Sequence, residues 1–488
     1  MQEKIMQEKV ILEDVLAEFY PLNKIPRPSG HEKAVSDYLA HRLQELGLSV
    51  VQDEKNNLIA DLPASKGYEH APRVALQGHM DMVCVAQDGK VYDPLTDAIE
   101  TERDEQYLRA KGTSLGADDG IGVAVILYVL QHAKKHGALR VILTTDEEVG
   151  MSGAISLASE HLQGVDFLIN CDSENYDELT VGSAGSVHLD FHKSFQRVQL
   201  PYHHAWKLEV AGLKGGHSGE RIGDGRANAI QEVAMCFAAL DEAKISYALV
   251  SFQGGKARNA IPNQAEAVFL TDAAESDLQK VFVAEQKRFL GAFSTADADG
   301  KITLTAVDST PVTVMPQTEA TAFLRLLRIL HTGVYAMSQI TPSLVETSAN
   351  LGMASVQDDQ AMIAFFPRSG IDEKLIDFRR RAEDLAQTFG FTLDVGAFSP
   401  AWKERKDSRL KDVMNEVFKA QNHGQGMKVM TIHAGLECGW HCQKNPALDM
   451  VSIGVTTLDI HSPKEHVELK TIAPEVRLLL AVLEKLAE

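Results

Sequence analysis

The sequence contains few cysteines, only five among 488 residues, and they are scattered along the chain. A small, odd number of cysteines in a long chain is typical of reduced thiols and does not predict a disulfide framework. The first segment, MQEKIMQEKVILEDVLAEF, is charged and lacks the apolar block of a secretory signal peptide. We therefore expect a cytoplasmic protein.

Long apolar runs and basic patches are also missing. A helix that crosses a bilayer needs about 20 apolar residues, and the longest run here, VAVILYVL at residues 123–130, is much shorter. The net charge is −20, and the short basic segment FRRRAED ends in acidic residues. A chain of this charge repels polyanions such as nucleic acids and anionic lipid surfaces. The composition therefore predicts no nucleic-acid partner and no membrane partner.

A further absence concerns nucleotides, because neither GxxxxGK[ST] nor GxGxxG occurs in the chain. These glycine patterns cradle phosphates in common nucleotide-binding folds, so a nucleotide-binding function has no support. What the sequence does contain is ample apolar material: 44% of the residues are apolar and 24% are charged, as in a globular protein. Because 488 residues exceed one ordinary core, we expect two or more domains.

Strand-like and helix-like segments alternate in the first part of the chain. RVALQG, LRVILTT and DFLINCD read as strands, and helical segments such as ADDGIGVAVILYVLQHA separate them. This alternation is typical of an α/β domain with a doubly wound, mostly parallel sheet. Later strands such as WKLEVAG are longer and alternate apolar with polar residues, which indicates an α+β domain with a mainly antiparallel sheet.

The α/β pattern returns after Gly396. We therefore predict that residues 1–184 and 397–488 form one domain and that residues 185–396 are inserted into it as a second domain. The second domain would then be a separate module whose two connections to the first domain allow hinge motion.

One helix of the first domain has a clear start signal. RPSGHEKAVSDYLAHRLQELG has apolar residues at helical spacing and ends at Gly47. Ser29 and Glu32 match the S-x-x-E pattern, in which the two side chains satisfy free N–H groups at the start of a helix. The sequence therefore predicts a capping box there.

Residues that commonly bind metals follow the ends of the predicted strands. They are His79 and Asp81 after VALQG, Glu147 and Glu148 after VILTT, Asp172 after FLINC and His461 after MVSIG, together with Asp118 and Asp119 at the start of the long helix. The carboxyl ends of parallel strands meet at one edge of an open α/β sheet, where ligands bind. We therefore expect these side chains to converge.

Each of these matches is weak by itself. An H-x-D triplet occurs by chance, adjacent glutamates usually face solvent, and two aspartates before a helix suit an N-cap and the helix dipole. Their convergence is more specific, because carboxylates that share a site repel one another unless cations neutralise them. Histidine and carboxylate ligands together favour Zn²⁺, Co²⁺ or Mn²⁺ over Ca²⁺ or Mg²⁺.

The order of these motifs resembles that of the di-zinc metallopeptidases related to glutamate carboxypeptidase, carnosinase and peptidase T. The longer stretches that carry the resemblance are IPRPSGHE, QGHMDMV, GADDGIG, TTDEEVGMSGA, NCDSE, GGHSG, NAIP, FFPRSG, HAGLECG and DIHSPKE. Within that family they are most similar to the aminoacyl-histidine (Xaa-His) dipeptidases, and the similarity extends over essentially the whole chain.

The resemblance implies a site with two Zn²⁺ ions, for which Co²⁺ or Mn²⁺ are alternatives. His79 and Asp172 would hold one metal, Glu148 and His461 the other, and Asp118 would bridge them. Glu147 would be the general base, and Asp81 would orient His79. The peptide bond between Asp118 and Asp119 would be cis. These roles are carried over from the family, position by position.

The inserted domain would act as a lid and as the dimerisation domain of a homodimer. In the family, the histidine of GGHSG stabilises the oxyanion, which implies that role for His217, within its own subunit or across the dimer. Arg368 is a candidate for the substrate carboxylate, and Asn259 for the carboxylate or the peptide carbonyl. Glu437 is a candidate for the free α-amine. The alternative for each of these residues is a structural role, in which its side chain forms hydrogen bonds within the protein and does not bind substrate.

We predict a metal-dependent enzyme that hydrolyses dipeptides, both Xaa-His dipeptides such as carnosine and others. The alternatives with the same metals are a tripeptidase, a carboxypeptidase or an N-acyl amino acid deacylase. A metal-binding interaction module without turnover is a further alternative, against which the presence of Glu147 argues. A structural zinc site in HAGLECGWHCQ is also open, although its spacing fits no common zinc motif. The physiological metal and the preferred dipeptide stay open.

Overall fold

The computed structural model describes residues 2–308 and 313–488. The chain divides into two compact units. Unit 1 consists of Met1–Gly182, Trp402–Thr431 and Leu436–Glu488, and unit 2 consists of Ser183–Ala401 and Ile432–Gly435.

The helices and strands follow one another along the whole chain. The helices are α1 (Gln2–Leu22), α2 (Lys33–Glu45), α3 (Ala117–His132), α4 (Glu147–Gly150), α5 (Ser152–Ser156), α6 (Ser218–Arg221), α7 (Ala229–Glu242), α8 (Glu275–Phe293), α9 (Gln317–Ile329), α10 (Asp372–Phe389), α11 (Arg409–Gln421), α12 (Glu437–Lys444) and α13 (Leu469–Ala487), with short 3₁₀ helices at Ser159–His161 and Ile222–Asp224. The strands are β1 (Ser49–Gln52), β2 (Leu58–Leu62), β3 (Val74–His79), β4 (Thr101–Arg103), β5 (Tyr107–Ala110), β6 (Leu139–Thr144), β7 (Phe167–Asn170), β8 (Glu178–Ser183), β9 (Gly185–Ser194), β10 (Ala205–Ala211), β11 (Gly216–His217), β12 (Ala248–Gly254), β13 (Ala260–Ile261), β14 (Ala265–Leu270), β15 (Lys301–Val307), β16 (Gly333–Met337), β17 (Val345–Gln357), β18 (Gln360–Ser369), β19 (Thr392–Ser399), β20 (Lys428–Ile432), β21 (Asp449–Ser452), β22 (Thr457–Leu458) and β23 (His466–Glu468).

The main sheet of unit 1 has the strand order β1-β2-β6-β3-β7-β21-β8-β20. Its central strands β6, β3, β7 and β21 run parallel to one another. On one side, β2 pairs antiparallel with β6 and β1 pairs antiparallel with β2. On the other side, β8 pairs antiparallel with β21. A small sheet of β22, β23, β5 and β4 accompanies it. The predicted α/β fold with a mostly parallel sheet is confirmed.

Helices cover both faces of this sheet because its strands are apolar on both sides. Val74 and Leu76 of β3 pack into a core with side chains of α1, α2, α3, α11 and α13. Ala75, between them in sequence, packs into a separate core on the opposite face with Trp402 and Cys438. Burial on both faces is what a doubly wound sheet requires. Among the described residues, no helix is both long and apolar enough to cross a membrane.

Unit 2 contains a mainly antiparallel sheet with the order β15-β10-β14-β12-β17-β18-β9-β19, and β16 pairs with β17. Neighbouring strands are antiparallel throughout the registered pairs. Alternate residues of β10, Trp206, Leu208 and Val210, enter a core shared with α7, α8, α9 and α10. The predicted antiparallel sheet is therefore confirmed, and one of its faces carries the helices.

The predicted capping box of α2 is wrong. The helix begins at Lys33, and neither side chain caps it. Ser29 instead donates to Asp81 Oδ2 at 2.7 Å. Glu32 Oε1 accepts hydrogen bonds from the N–H groups of Gly30 at 2.7 Å and Asp146 at 3.0 Å. Each side chain therefore bonds to a loop that lies far from the helix in sequence, because these loops offer a carboxylate to Ser29 and an N–H group to Glu32, which also accepts from the neighbouring Gly30.

Two buried charges hold the loops at the carboxyl edge of the parallel strands. Glu465, 3% exposed, accepts hydrogen bonds from four successive N–H groups. The donors are Leu115 (2.7 Å), Gly116 (3.0 Å), Ala117 (2.7 Å) and Asp118 (3.2 Å). Arg27, 1% exposed, donates to the carbonyl oxygens of Met80 (2.8 Å), Asp81 (3.0 Å) and Gly116 (2.5 Å). The two side chains together fix residues 80–81 and 115–118.

The loop before α3 also requires glycine at position 116. Gly116 has φ +69°, a conformation that side chains rarely adopt. A Cβ there would lie 2.6 Å from Arg27 Nη2, so the buried guanidinium occupies the space that a side chain needs. The peptide bond between Asp118 and Asp119, just beyond, is cis, as the resemblance implied.

Glu465→Gln should lower the free energy of unfolding by about 3–5 kcal/mol, because the amide brings N–H donors against backbone N–H donors in a buried place. Thermal and urea unfolding monitored by circular dichroism would measure the loss. Glu484→Gln, in α13, is the control: its ion pair with Lys135 is about half exposed, and its removal should cost less than about 1 kcal/mol. Equal effects of the two substitutions would contradict the structural role of Glu465.

Glu475 of α13 should make the stability depend on pH. It is 1% exposed, both carboxyl oxygens lack a hydrogen-bond partner among the described residues, and burial raises its pKa to about 8. The folded state therefore binds a proton that the unfolded chain releases above its pKa of about 4.3, so this group destabilises the protein increasingly as pH rises from there to about 8.

Glu475→Gln removes this penalty. The variant should unfold at a higher temperature than the wild type at about pH 9, by an amount that corresponds to roughly 2–5 kcal/mol, and the difference should vanish near pH 4. Differential scanning calorimetry at the two pH values measures both. A variant that is less stable than the wild type at about pH 9 would show that the ionised carboxylate has a stabilising partner.

Candidate metal centre

The acidic and histidine residues lie at the carboxyl edge of the parallel strands of unit 1. His79 is the last residue of β3, Glu147 begins α4 shortly after β6, and Asp172 follows β7. Asp118 lies in the first turn of α3, and His461 lies in the loop between β22 and β23. The structure brings these side chains together, although they come from segments far apart in sequence.

Asp118 lies between two histidines. Its Oδ1 is 3.1 Å from His79 Nε2, and its Oδ2 is 3.1 Å from His461 Nε2. One carboxylate therefore faces two imidazole nitrogens, one with each of its oxygens. Shared carboxylates of this kind connect the two cations of two-metal sites.

Two more carboxylates complete the arrangement. Asp172 Oδ1 lies 3.3 Å from His79 Nε2, and Glu148 Oε2 lies 2.8 Å from His461 Nε2. Three groups of side chains have ligand atoms that all lie within 4.8 Å of one another: His79, Asp118 and Asp172; Asp118, Glu148 and His461; and His79, Glu147 and Glu148. The first two groups share Asp118.

Within residues 2–308 and 313–488, none of these groups contains a cysteine. The HAGLECGWHCQ segment therefore provides no cluster of ligand atoms for a metal, and the alternative of a structural zinc site there has no support. His441 of that segment is buried, and burial lowers its pKa to about 3, with Lys444 adding to the effect. The imidazole is neutral and packs as a core side chain.

Asp81 connects the ligand histidine to the acidic turn after β6. Its carboxylate accepts hydrogen bonds from Ser29 Oγ at 2.7 Å and from the N–H groups of Glu147 at 3.0 Å and Glu148 at 3.2 Å. Its Oδ1 also lies 3.4 Å from His79 Nδ1. Burial opposes ionisation of Asp81, but its hydrogen bonds and His79 outweigh burial and lower its pKa to about 2. Asp81 is therefore a charged anchor for both segments.

The carboxyl groups of the cluster crowd one another. Burial raises the pKa of Asp172 to about 8, although His79 opposes this. Burial also raises the pKa of Glu147 well above its usual value, and the carboxylates of Asp172 and Glu148 add to the rise. Asp118 differs: burial acts in the same direction, but hydrogen bonds from His461 and His79 outweigh it and hold its pKa well below the usual value.

This donor set suits divalent cations. Each of the two groups that share Asp118 combines one imidazole nitrogen with carboxylate oxygens, a mixture that favours Zn²⁺, Co²⁺ or Mn²⁺. Glu148 Oε1 is buried and has no hydrogen-bond partner among the described residues. A cation would satisfy that oxygen and would relieve the repulsion between the carboxylates.

Glu437, the first residue of α12, is completely buried behind this edge. Its Oε2 accepts hydrogen bonds from Gln77 Nε2 and Thr144 Oγ1, both at 2.6 Å. Its Oε1 has no hydrogen-bond partner in the part of the chain that the structure describes. Burial raises the pKa of Glu437 to about 7, although His79 opposes the rise. One carboxyl oxygen is thus held by two donors, and the other is buried without a donor among the described residues.

His217 and Asn259 lie side by side in unit 2. The two-residue strand β11 ends in His217, which is registered opposite Ala260 of β13. Asn259 precedes that strand, and its carbonyl oxygen accepts a hydrogen bond from Ser218 N at 2.8 Å. Burial lowers the pKa of His217, and Arg368 lowers it further. The imidazole is therefore neutral, and it can donate one hydrogen bond.

Arg368 of β18 is a buried cation, 7% exposed. Its guanidinium lies over the ring of Phe366, 4.6 Å from the ring centre. Its Nε has no hydrogen-bond partner among the described residues, and burial lowers its pKa to about 10. A buried charge without a partner is costly, and a planar guanidinium is suited to pair with a carboxylate.

The residues that hold the ligands in place were not predicted from the sequence. They are Arg27 and Glu465, and also Ser29 and Glu32, which were assigned to a helix cap. All four lie in the segments IPRPSGHE and DIHSPKE that carried the family resemblance. The resemblance was the only signal, because a buried charge that pairs with distant backbone groups leaves no local pattern.

Comparison with known proteins finds close relatives over the whole chain. The chain is 33% identical over 471 residues to the cytosol non-specific dipeptidase of Escherichia coli (strain K12), which covers 96% of each protein. Its structure is similar to the crystal structure of aminoacylhistidine dipeptidase from Vibrio alginolyticus, with a TM-score of 0.91 and 32% identity over 97% of this chain and 96% of that one.

Another solved structure shares the fold alone: aminopeptidase PepT from Bacillus cereus ATCC 10987 has a TM-score of 0.55 and 17% identity over 98% of this chain and 99% of that one. The sequence pattern of peptidase family M20/M25/M40 matches residues 75–485. The predicted hydrolase that acts on peptide bonds is thereby confirmed, and the chain belongs to peptidase family M20/M25/M40.

Proposed function

We propose that the protein is a metal-dependent dipeptidase that hydrolyses Xaa-His and other dipeptides. The observation that carries this proposal is the carboxylate of Asp118, whose two oxygens each face one histidine within a shared group of ligands. Two relatives that match almost the whole chain at 33% and 32% identity are named as dipeptidases, which supports the choice of substrate. A tripeptidase, a carboxypeptidase or an N-acyl amino acid deacylase is the alternative.

Two metal positions follow from the groups of ligand atoms. His79, Asp172 and Asp118 would hold one cation, and Asp118, Glu148 and His461 the other. We propose Zn²⁺ at both, with Co²⁺ or Mn²⁺ as alternatives, because of the mixed nitrogen and oxygen donors. When bound, the cations supply an acidified water and polarise the peptide carbonyl.

Glu147 is the proposed general base. It shares a group with His79 and Glu148, and its own N–H is held by Asp81 Oδ1 at 3.0 Å. A carboxylate in this place takes the proton of the attacking water and then gives it to the leaving amine. Burial raises its pKa, which brings the group closer to the range where it both accepts and returns a proton.

Groups of unit 2 would bind and polarise the substrate. Arg368 is proposed to pair with the C-terminal carboxylate, because it is buried and has no anionic partner among the described residues. Asn259, which is exposed next to His217, is proposed to bind the carboxylate or the carbonyl. His217, whose pKa is lowered by burial and whose Nδ1 has no hydrogen-bond partner among the described residues, is proposed to donate to the developing oxyanion.

Glu437 is proposed to receive the free α-amine of the substrate through Oε1, the oxygen that lacks a hydrogen-bond partner in the described chain. An ammonium group there would pair with the carboxylate and complete its hydrogen bonds. Recognition of a free amine and of a free carboxylate would select peptides whose two termini are both unblocked.

We also propose a cytoplasmic homodimer joined through unit 2, which would serve as lid and dimerisation domain. The support is the number of large apolar side chains exposed on unit 2 near β16, a strand that pairs with β17 alone among the described residues. They include Ile329 (51%), Tyr335 (39%), Met337 (44%) and Ile340 (43%). Exposed apolar groups on an edge strand are commonly covered by a second copy across a two-fold axis.

The function is tested by a panel of substrates with and without metal. The purified protein should hydrolyse carnosine and other Xaa-His dipeptides, and it should leave tripeptides, N-acetyl amino acids and longer peptides largely uncut. A chelator should abolish activity, and re-addition of Zn²⁺, Co²⁺ or Mn²⁺ one at a time should restore it. Preferred cleavage of tripeptides or N-acetyl amino acids would favour the alternative.

Two adjacent glutamates should separate chemistry from metal binding. Glu147→Gln should keep two metals per chain and lose about 10²–10⁴-fold or more in kcat, because the amide cannot accept a proton. Glu148→Gln is the matched substitution one residue away and should lose one metal. Inductively coupled plasma mass spectrometry and steady-state kinetics measure both. Near wild-type turnover of the Glu147 variant would place the base elsewhere.

A further inference from the structure

A second donor group lies next to Arg368 in unit 2. Arg368 on β18 is registered directly opposite Ser348 on β17. Residues directly opposite each other in an antiparallel pair project their side chains to the same face, with Cβ atoms about 5 Å apart. The Oγ of Ser348 in turn lies 2.7 Å from His433 Nε2. Ser348 therefore connects the imidazole of His433 to the position of the guanidinium.

His433 also lies close to the histidine proposed to act on the oxyanion. A Cβ built on Gly219 would lie 2.6 Å from His433 O and 3.0 Å from His217 Cε1. Both histidines therefore border Gly219, although they lie far apart in the sequence. The surroundings of Arg368 in unit 2 thus contain three imidazoles, those of His188, His217 and His433, and no carboxylate among the described residues pairs with Arg368.

The hydrogen bond to Ser348 determines which nitrogen of His433 carries the proton. Ser348 is 2% exposed, and His433 is the one side chain in the described residues to which its hydroxyl is bonded. If the hydroxyl accepted from Nε2, its own proton would be buried without an acceptor, which is costly. Ser348 therefore donates to Nε2, and the neutral imidazole carries its proton on Nδ1.

The Nδ1–H group of His433 is available to a ligand. Nδ1 makes no hydrogen bond within residues 2–308 and 313–488, and it is not among the polar atoms closed off from solvent. Burial lowers the pKa of His433 to about 3, and Arg368 contributes to the shift. The imidazole therefore stays neutral next to the guanidinium and offers one fixed donor.

We propose that His433 Nδ1–H donates to the C-terminal carboxylate of the dipeptide, beside the guanidinium of Arg368. The inference rests on the proposed function, of which it specifies one subsite. A carboxylate has two oxygens with room for several donors, so that one cation and one neutral donor can be accommodated together. A neutral second donor adds a hydrogen bond without the repulsion that a second buried cation next to Arg368 would bring.

Two substitutions of His433 separate its two nitrogens. In His433→Asn the side-chain amide can replace the Nδ1–H donor, and in His433→Gln it can replace Nε2, the partner of Ser348. Each variant is assayed with an Xaa-His dipeptide and with the same dipeptide as its C-terminal amide. The discrimination is the ratio of kcat/KM for the free acid to that for the amide.

His433→Gln should lower this ratio by about 10- to 100-fold, the effect of losing a hydrogen bond to a charged group. His433→Asn should keep most of it, and Ser348→Ala should lower it less than His433→Gln does. Metal content and the far-ultraviolet circular dichroism spectrum should be unchanged in all three.

An unchanged ratio in His433→Gln, or equal losses in the Asn and Gln variants, would overturn the proposal and leave His433 as a structural group that holds the segment Ile432–Gly435. If the wild type cleaves no dipeptide in the first place, the proposed function fails instead. If the wild type cleaves the amide as readily as the acid, Arg368 and His433 are both excluded from carboxylate recognition.

Discussion

The candidate metal centre depends on one constraint, the placement of the Asp118 carboxylate. Its two oxygens face two histidines only if the loop that carries it cannot move. Glu465 provides this by accepting hydrogen bonds from the four N–H groups of residues 115–118. Glu465 follows His461 by four residues, so a single loop supplies one ligand and also fixes another. Glu465 therefore positions the loop that carries Asp118, and its carboxylate is itself satisfied by hydrogen bonds from backbone N–H groups.

Charge compensation explains why so many acids can be buried at one edge of a sheet. Asp81 is ionised because Ser29 and the N–H groups of two glutamates donate to it. Arg27 adds a buried positive charge nearby through its three carbonyl contacts. Among the described residues, no backbone N–H group donates to the carboxylate of Asp172 or of Glu147, and burial raises the pKa of each. Asp172 and Glu147 are thus the acids whose negative charge a bound cation or a transferred proton would neutralise.

The sequence predicted the parts of this arrangement that repeat a local rule. Strand ends gave His79, Glu148 and Asp172, because parallel strands must end at one edge of the sheet. The roles of the residues came from the family resemblance. The supporting contacts were beyond prediction: Ser29 and Glu32 satisfied a local capping pattern, yet their partners are supplied by loops about 50 and 114 residues away. The capping interaction that a local pattern predicts is not formed when folding brings a stronger partner, such as a buried carboxylate, to the same side chain.

The hydrogen-bond and ion-pair partners of a buried charged side chain indicate whether it stabilises the fold or binds a ligand. Arg27 and Arg368 are both more than nine-tenths buried, but Arg27 donates to three carbonyl groups, whereas Arg368 lies over an aromatic ring and pairs with no carboxylate among the described residues. The lack of partners is not sufficient by itself. Glu475 also lacks hydrogen-bond partners among the described residues, but burial raises its pKa to about 8, so that it can be buried as a neutral acid. Arg368 cannot take that route, because guanidinium keeps its charge in proteins. An unpaired buried arginine therefore indicates an anionic ligand where an unpaired glutamate does not.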